Sequence, residues 1–185
     1  MMRSHSKLVL ASVAILGAAL IVSAAQEQTV ARRVEQTSFS SDLPLDYDVP
    51  IPQEVVKLLL HTKQVKQAAQ DKAATQAQRD NPSKFFRASA IQLASADETD
   101  LVVVGVHPMS AADNGWFWIV RSFPHDPKIL LFVGTKSLEV MEQRTNGYRD
   151  IRAASSGVGE TTTVTYHFDG HTYRIWKKQS TPADQ

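Results

Sequence analysis

Cysteine is absent from this chain of 185 residues. Its absence excludes a disulfide framework, a thiol nucleophile and lipid attachment at a cysteine. Glycine and proline are scarce, with 8 of each, and a hydrophobic content of 43% is ordinary for a globular protein. The composition therefore predicts a folded chain that is stabilised by its own hydrophobic core.

A dominant sign of charge is also lacking. Twenty Lys and Arg residues stand against 19 Asp and Glu residues, which gives a formal net charge of +1. This balance creates no field that would attract nucleic acid, and we expect no nucleic-acid partner. Arg3 and Lys7 are the charged residues within positions 1–25, so removal of that segment would change the net charge to 18 − 19 = −1.

The one long uncharged run lies near the start of the chain. Leu8–Val22 holds 15 uncharged residues, and small side chains follow at Ser23-Ala24-Ala25. This pattern is typical of a signal peptide over residues 1–25 with cleavage after Ala25, which predicts export to the periplasm or the cell exterior. The alternative is an uncleaved N-terminal membrane anchor, because the 18 residues of Leu8–Ala25 meet the lower limit of about 17–25 for a membrane span. Cleavage would leave no stable membrane span.

The next two segments differ in their hydrophobic pattern. Residues 26–50 are mostly polar and have no sustained period, which predicts an extended leader. Residues 51–80 follow two prolines and carry Glu54 in the first turn, and Asn81-Pro82 ends the pattern. We expect one helix here that packs on the rest of the chain. Its apolar residues recur at helical spacing, and they include Val55, Leu58, Leu59, Val65 and Ala69.

The remainder of the chain alternates short apolar runs with turn residues about every ten positions. This alternating pattern predicts an antiparallel β domain over residues 84–177 and a tail over residues 178–185. The fold class that follows is α+β, with an N-terminal helix followed by a single antiparallel β-meander sheet or partial barrel. The expected strands are Phe85–Leu93, Leu101–Val106, Trp116–Val120, Ile129–Val133, Leu138–Met141, Tyr148–Ala153, Thr161–Phe168 and His171–Trp176.

Two dipeptides predict tight hairpins. A two-residue turn at Asp169-Gly170 would pair Phe168 with His171 and place Tyr166, Phe168 and Tyr173 on one face. A turn at Asn146-Gly147 defines a second hairpin and groups Leu138, Val140, Ile151 and Ala153 on one face. A strict two-residue turn would set Glu142 opposite Ile151, which is unfavourable, so the sequence favours a bulge or a longer loop there.

Two stretches of the β domain carry a resemblance. Thr145-Asn-Gly-Tyr-Arg-Asp-Ile151 and Thr165-Tyr-His-Phe-Asp-Gly-His-Thr-Tyr173 resemble the closing strands of small exported bacterial β-sheet domains without an assigned activity. The resemblance covers residues 85–176 and implies a fold more than a function. Such domains often carry two cysteines around a short loop, whereas the comparable loop here, Ser110–Gly115, has none.

A third stretch resembles a calcium loop. Residues 91–103 are similar to the Asp-rich calcium loop of secreted β-repeat proteins, and Asp100 and Leu101 match its end. The positions that should offer oxygen ligands are Gln92, Ala94 and Ala96. Calcium takes about 6–8 oxygen ligands, so we expect the turn without the metal.

No set of residues predicts a specific chemistry. His167 and His171 flank Asp169, but the expected register places the two rings on opposite faces of the hairpin, where they cannot share a metal ion. Beyond the predicted signal peptide, the chain has no Gly-x-Ser-x-Gly or Ser-x-x-Lys element that would support a serine nucleophile. We therefore assign no catalytic residue, no metal and no cofactor, and the sequence leans against an enzyme without deciding the question.

The densest aromatic group is the most specific binding candidate. Alternation along its strand puts Trp116, Trp118 and Val120 on one side and Phe117 and Ile119 on the other, which is typical of a central strand that is buried on both faces. The competing hypothesis is an exposed tryptophan pair that binds a protein or glycan. In that hypothesis the ligand-binding residues are Trp116, Trp118, Arg121 and Arg149.

These observations favour a non-enzymatic exported module that binds or inhibits a partner in the periplasm or cell envelope. The partner would be an envelope protein or a glycan. One alternative is an envelope hydrolase with a loop site formed by His107, Ser110, Asp113 and His125. The other is an assembly protein that self-associates through its helix.

Overall fold

The computed structural model describes residues 35–95, 98–111, 114–123 and 126–182, and the structural statements that follow concern those residues. The predicted signal peptide, its cleavage site and residues 26–34 of the predicted leader lie outside them. In the part of the chain that is described, no helix is long and apolar enough to cross a membrane.

Residues 51–80 form three short helices where the sequence predicted one. They are α1 (Gln53–Leu60), α2 (Lys63–Ala69) and α3 (Gln76–Asp80), followed by a 3₁₀ turn at Pro82–Phe85. Threonine caps account for the breaks. The Thr62 side chain accepts a hydrogen bond from the Val65 amide, and Thr75 forms a reciprocal capping box with Gln78. Each cap starts a new helix and so interrupts the run that the apolar spacing suggested.

Ten strands account for about half of the described residues, and helices for about one sixth. All eight predicted strands overlap with observed ones. The additional strands are β1, in the segment predicted as a leader, and the very short β4. In chain order they are β1 (Ser38–Ser40), β2 (Phe86–Ile91), β3 (Thr99–Gly105), β4 (Ser110–Ala111), β5 (Asn114–Phe123), β6 (Lys128–Thr135), β7 (Ser137–Thr145), β8 (Tyr148–Gly157), β9 (Glu160–Phe168) and β10 (Tyr173–Pro182).

The strands form two antiparallel sheets, so the predicted α+β fold with a single sheet or partial barrel is wrong. Sheet I has the order β1-β7-β8-β9-β10, and sheet II has the order β2-β3-β5-β6 with β4 also paired to β5. The chain passes between the sheets at Lys136, since β6 ends at Thr135 and β7 begins at Ser137. Alternation with period two identifies strands and their faces, but it does not reveal which sheet a strand joins.

One hydrophobic core fills the space between the two sheets. Sheet II contributes Ile91, Val102, Phe117 and Ile119, all nearly inaccessible to solvent. These residues pack against apolar side chains of sheet I. The sheet I group consists of Phe39, Leu138, Val140, Ile151, Ala153, Tyr166, Phe168 and Tyr173. The two sheets are therefore packed face to face as a sandwich.

A second core lies between the other face of sheet II and the helices. It joins Trp118 and Val120 of β5 to Val55, Leu59 and Val65 of α1 and α2. The predicted division of β5 into two apolar faces is confirmed, because Phe117 and Ile119 enter the core between the sheets. The described part of the chain is thus layered, with helices on sheet II and sheet II on sheet I.

The Asn146-Gly147 hairpin has the predicted two-residue turn and the predicted bulge. Both turn residues have positive φ angles, 51° and 83°, as a type I′ turn requires. Thr145 pairs with Tyr148, and the register shifts before Val140 pairs with Ile151. The shift leaves Glu142 without a partner opposite it, which removes the conflict that a strict register would create.

The Asp169-Gly170 hairpin is wider than predicted. Phe168 pairs with Tyr173 instead of His171, because a four-residue loop replaces the two-residue turn. The Asp169 carboxylate accepts hydrogen bonds from the amides of His171 and Thr172, both at 2.8 Å, and so holds the wider loop. The register moves by two residues, which keeps Tyr166, Phe168 and Tyr173 on one face as predicted, while His171 lies in the loop and not in the strand.

The described part of the predicted leader closes one edge of each sheet. Phe39 lies in β1, which pairs with β7 at the edge of sheet I. Further along, the Val49 amide donates to the Ala88 carbonyl at the edge of sheet II. Close packing of this segment requires glycine at position 115, because a Cβ atom there would lie 2.9 Å from the Ser41 Cβ. At the other end, β10 continues to Pro182, well into the predicted tail.

Candidate functional site

The four predicted ligand-binding residues do not form one surface. Trp118 is 1% exposed and packs edge to face against Phe86 beneath the helices. Trp116 is half-buried beside it and contacts Phe132. Arg149 lies in sheet I, on a different layer from the tryptophans. Trp118 is therefore a core side chain of the protein.

Arg149 fills the bulge of the β7–β8 hairpin. Its guanidinium donates to the carbonyls of Met141 and Val140 at 2.7 and 3.0 Å, and to the Glu35 carboxylate at 2.9 Å. Glu142 accepts a further bond at 3.1 Å. Each of the three nitrogens of this buried guanidinium has an acceptor, and its role is to fix the bulge and the start of the described chain.

Arg121 lies opposite Asp100 in the β3–β5 pair, at the edge of the core between the sheets. The Asp100 side chain is fully buried, and its Oδ2 accepts a hydrogen bond of 3.3 Å from the Leu93 amide. Burial raises the pKa of Asp100 to about 7, with a smaller contribution from the charge of Glu98, while the Leu93 amide and Arg121 act in the opposite direction. Asp100 therefore carries a proton over much of the acidic range.

Tyr173 belongs to sheet I, and its side chain faces the core near Asp100. Its hydroxyl donates to the Arg149 carbonyl at 2.6 Å in the buried interior. Burial raises the pKa of Tyr173, and the charges of Asp100 and Asp150 add to the effect. The phenol is consequently a permanent hydrogen-bond donor and a structural group.

The residues of the hydrolase alternative are only partly described. His107 is exposed in the turn after β3, and its carbonyl accepts a hydrogen bond of 2.6 Å from the Gln78 side chain. Ser110 is half-buried at the start of β4. Asp113 and His125 lie outside the described residues. Within the described ranges there is also no group of three or more His, Asp or Glu residues that could hold a metal ion.

The cleft between the predicted leader and β2 is centred on an ion pair. Arg87 Nε lies 2.8 Å from Asp48 Oδ2, and Asp48 Oδ1 accepts a bond of 3.3 Å from the Ala88 amide. Both carboxylate oxygens are thus used to attach this segment to the sheet edge. The cleft offers no unpaired carboxylate oxygen of Asp48 to a ligand.

The aromatic residue that is both exposed and held in place is Trp176 in β10. It is 61% exposed, and its indole stacks on the His167 imidazole with a centroid distance of 4.4 Å and an interplanar angle of 13°. The register of β9 and β10 shifts between Ile175 and Lys177, so Trp176 is the extra residue of a β-bulge. Alternation already places Trp176 on the outer face of sheet I, since Ile175 pairs with Tyr166 of the core face, and the bulge brings Lys177 to the outer face as well.

His167 lies next to a buried carboxylate. Its Nε2 lies 3.4 Å from Asp150 Oδ2, and Asp150 is fully buried. Neither Asp150 oxygen accepts a hydrogen bond from a described residue, and the separation from His167 is longer than a good hydrogen bond. The imidazole therefore has the Asp150 carboxylate near its Nε2 edge and the indole stacked on its ring face. Because the imidazole covers one face of the indole and Trp176 is 61% exposed, the exposed area includes the other face of the indole.

The sheet surface around this stack is polar and rich in hydroxyl groups. Arg152 and Glu139 form an exposed ion pair on it, with Arg152 Nε 2.9 Å from the carboxylate. Thr165 pairs with Arg152, and the strand alternation places every second residue of β9 on the same face. The hydroxyl residues of this face are Ser38, Ser40, Ser137, Ser156, Thr161, Thr163, Thr165 and Thr181.

The arrangement suits binding by stacking and hydrogen bonding. His167 turns Nε2 toward the interior, and its ring is covered by Trp176. Sequence reasoning missed Trp176 because its strand was expected to end there, although the alternation of the hairpin already placed Trp176 on the same face as His167. The polar Thr-rich alternation of β9 was the available indication that sheet I has a solvent face.

Comparison of the chain with known protein families, with curated proteins and with solved structures found no match.

Proposed function

We propose that this chain is a non-enzymatic exported binding module of the periplasm or cell envelope, and that its ligand is a glycan. The contact surface is the outer face of sheet I around Trp176. The observation that carries the proposal is the Trp176–His167 stack, which holds an exposed indole in one orientation and leaves its outer face open.

A fixed indole is well suited to a sugar ring. The C–H face of a β-linked hexose is apolar and matches the size of the indole, while its hydroxyl groups point to the sides. Preorganisation lowers the entropic cost of binding, since Trp176 does not have to be ordered by the ligand. The threonine hydroxyls and the Arg152–Glu139 pair provide donors and acceptors for the sugar hydroxyls on the same face.

The alternatives receive less support from the described residues. The assembly hypothesis needs an apolar helix stripe for self-association, but Val55, Leu59 and Val65 are inaccessible because they pack on sheet II. The hydrolase hypothesis depends on Asp113 and His125, which are not described. Of the predicted partners, a glycan fits the polar outer face better than a protein, because protein interfaces usually centre on buried apolar residues.

Titration calorimetry with β-1,4-linked trisaccharides, chitotriose and cellotriose, tests the proposal. We expect at least one of them to bind the full chain and Trp176→Ala to weaken that affinity by roughly tenfold or more. Ile175→Ala is the matched control, because Ile175 is the preceding exposed residue of β10 but pairs with Tyr166 of the opposite face. Absence of binding to both sugars, or equal losses in the two variants, would overturn the proposal.

A further inference from the structure

The outer edge of β10 has no neighbouring strand among the described residues, because sheet I ends there. β10 is 10 residues long, and every residue after Tyr173 is exposed. An edge strand presents a row of unpaired N–H and C=O groups that can pair with another strand. We propose that this edge binds an extended acidic segment of a partner protein by strand addition.

The charges of β10 define the chemistry of the partner. The strand carries Arg174, Lys177 and Lys178 and no acidic residue. Arg174 pairs with Asp169, with Nε and Oδ2 3.0 Å apart. The two lysines form no ion pair with any described residue. Both ammonium groups are therefore available to carboxylates of a second chain.

The register specifies how the carboxylates must be spaced. Lys177 pairs with Thr165 and Lys178 pairs with Val164, so the two lysines lie on opposite faces of sheet I. An added strand alternates in the same way. Two consecutive acidic residues in the middle of the added strand would place one carboxylate beside each ammonium group, and opposite charges on neighbouring strands are stabilising.

The same lysines disfavour a second copy of this chain as the occupant. The centre of Tyr173–Pro182 falls between Lys177 and Lys178. Directly opposed residues of an antiparallel pair share a face, so a two-fold axis near that centre would put Lys177 opposite Lys177, or Lys178 opposite Lys178, of the other copy. Like charges in directly opposed positions are destabilising, and edge lysines commonly prevent association between identical edges. An acidic strand reverses the sign of this interaction.

The end of the strand limits the length of the site. Pro182 has no backbone N–H, so the ladder of an added strand cannot continue through that residue. Ile175 is 64% exposed on the core-facing side of β10 and offers an apolar contact near the start of the ladder. The expected ligand is thus an extended segment of about seven to nine residues with a central acidic pair.

A peptide of ten residues tests the proposal directly. It alternates Thr and Val and has Glu-Asp at its two central positions, and the matched peptide has Lys-Lys there. Fluorescence anisotropy with the full chain should show at least tenfold tighter binding of the acidic peptide. The double variant Lys177→Glu/Lys178→Glu should reverse the preference, and N-methylation of alternate peptide amides should abolish binding because it removes the ladder donors. Circular dichroism of the double variant controls for folding.

Equal affinity for the two peptides, absence of binding, or an unchanged preference in the double variant would overturn the proposal. A dimer in sedimentation velocity that Lys177→Glu/Lys178→Glu disrupts would assign the edge to a second copy and would also overturn it. The result is separable from glycan binding, because Trp176→Ala leaves both lysines in place and should preserve the preference for the acidic peptide.

Discussion

The Glu35 carboxylate and the Arg149 guanidinium are 2.9 Å apart, although 113 residues separate them in the sequence. Glu35 also accepts a hydrogen bond of 2.6 Å from the Gln92 amide. This one carboxylate therefore connects the start of the described chain to both sheets. Arg149 in turn stabilises the bulge between β7 and β8 by donating hydrogen bonds to the carbonyls of Val140 and Met141.

Arg149→Ala should lower the free energy of unfolding by about 3–5 kcal/mol, because it removes the donor of Glu35 Oε2 and of two carbonyls at a largely buried position. Arg152→Ala is the matched control on the same strand. Arg152 pairs with Glu139 at the surface, where such pairs contribute about 0–1 kcal/mol. Urea denaturation followed by circular dichroism measures both values. Similar losses of unfolding free energy in the two variants would contradict the role of Arg149 in stabilising the bulge.

The pKa of Asp100, raised by burial to about 7, makes stability depend on pH. In the unfolded chain the pKa returns to about 4, so the folded state holds the extra proton and stability falls as pH rises from about 4 to about 7. Asp100→Asn should remove this dependence and raise stability at pH 8 by up to about 4 kcal/mol.

The measurement is the free energy of unfolding of both proteins between pH 4 and pH 8. The two curves should approach each other toward pH 4, where the carboxyl group is protonated in the folded state and about half-protonated in the unfolded chain. A wild-type stability that increases over this interval relative to Asp100→Asn would show that Asp100 is stabilised as a carboxylate.

The pKa of Asp169 is shifted in the opposite direction to that of Asp100. Hydrogen bonds from the Thr172 and His171 amides, and then from Arg174, lower the pKa of Asp169 to about 2. The folded pKa is below the unfolded one, so this contribution is complete above about pH 4 and is lost as pH falls through about 2. An NMR titration should place the midpoint of Asp169 near 2, and amide exchange at His171 and Thr172 should accelerate over the same interval.

Asp169→Ala should accelerate exchange at those two amides at neutral pH, since it removes their acceptor. Asp169→Asn should retain most of the protection, because its amide oxygen also accepts hydrogen bonds. Protection that is equal in the alanine variant and in the wild type would mean that the backbone alone maintains the wide loop.

The sequence could predict the strands and the faces of β5 because these follow from a local alternation of apolar residues. It could also predict the Asn146-Gly147 turn, since positive φ angles favour those two residues. The division into two sheets could not be predicted, because β6 and β7 are separated by one residue and have the same kind of pattern. The exposure of Trp176 depends on the position of β10 at the edge of sheet I, and the Glu35–Arg149 contact depends on long-range packing. Neither has a local pattern in the sequence.

The pairing of Ser38–Ser40 with β7 has a consequence for the order in which the chain acquires its structure. A ribosome or a translocation channel releases the N-terminal end first, and the partner strand follows about 100 residues later. During that interval β1 has no neighbour, and Glu35 has no guanidinium. The β1 edge of sheet I therefore cannot be completed until β7 has appeared, and the closing of the sandwich must wait for nearly the whole chain. Such distant pairings raise contact order and slow folding.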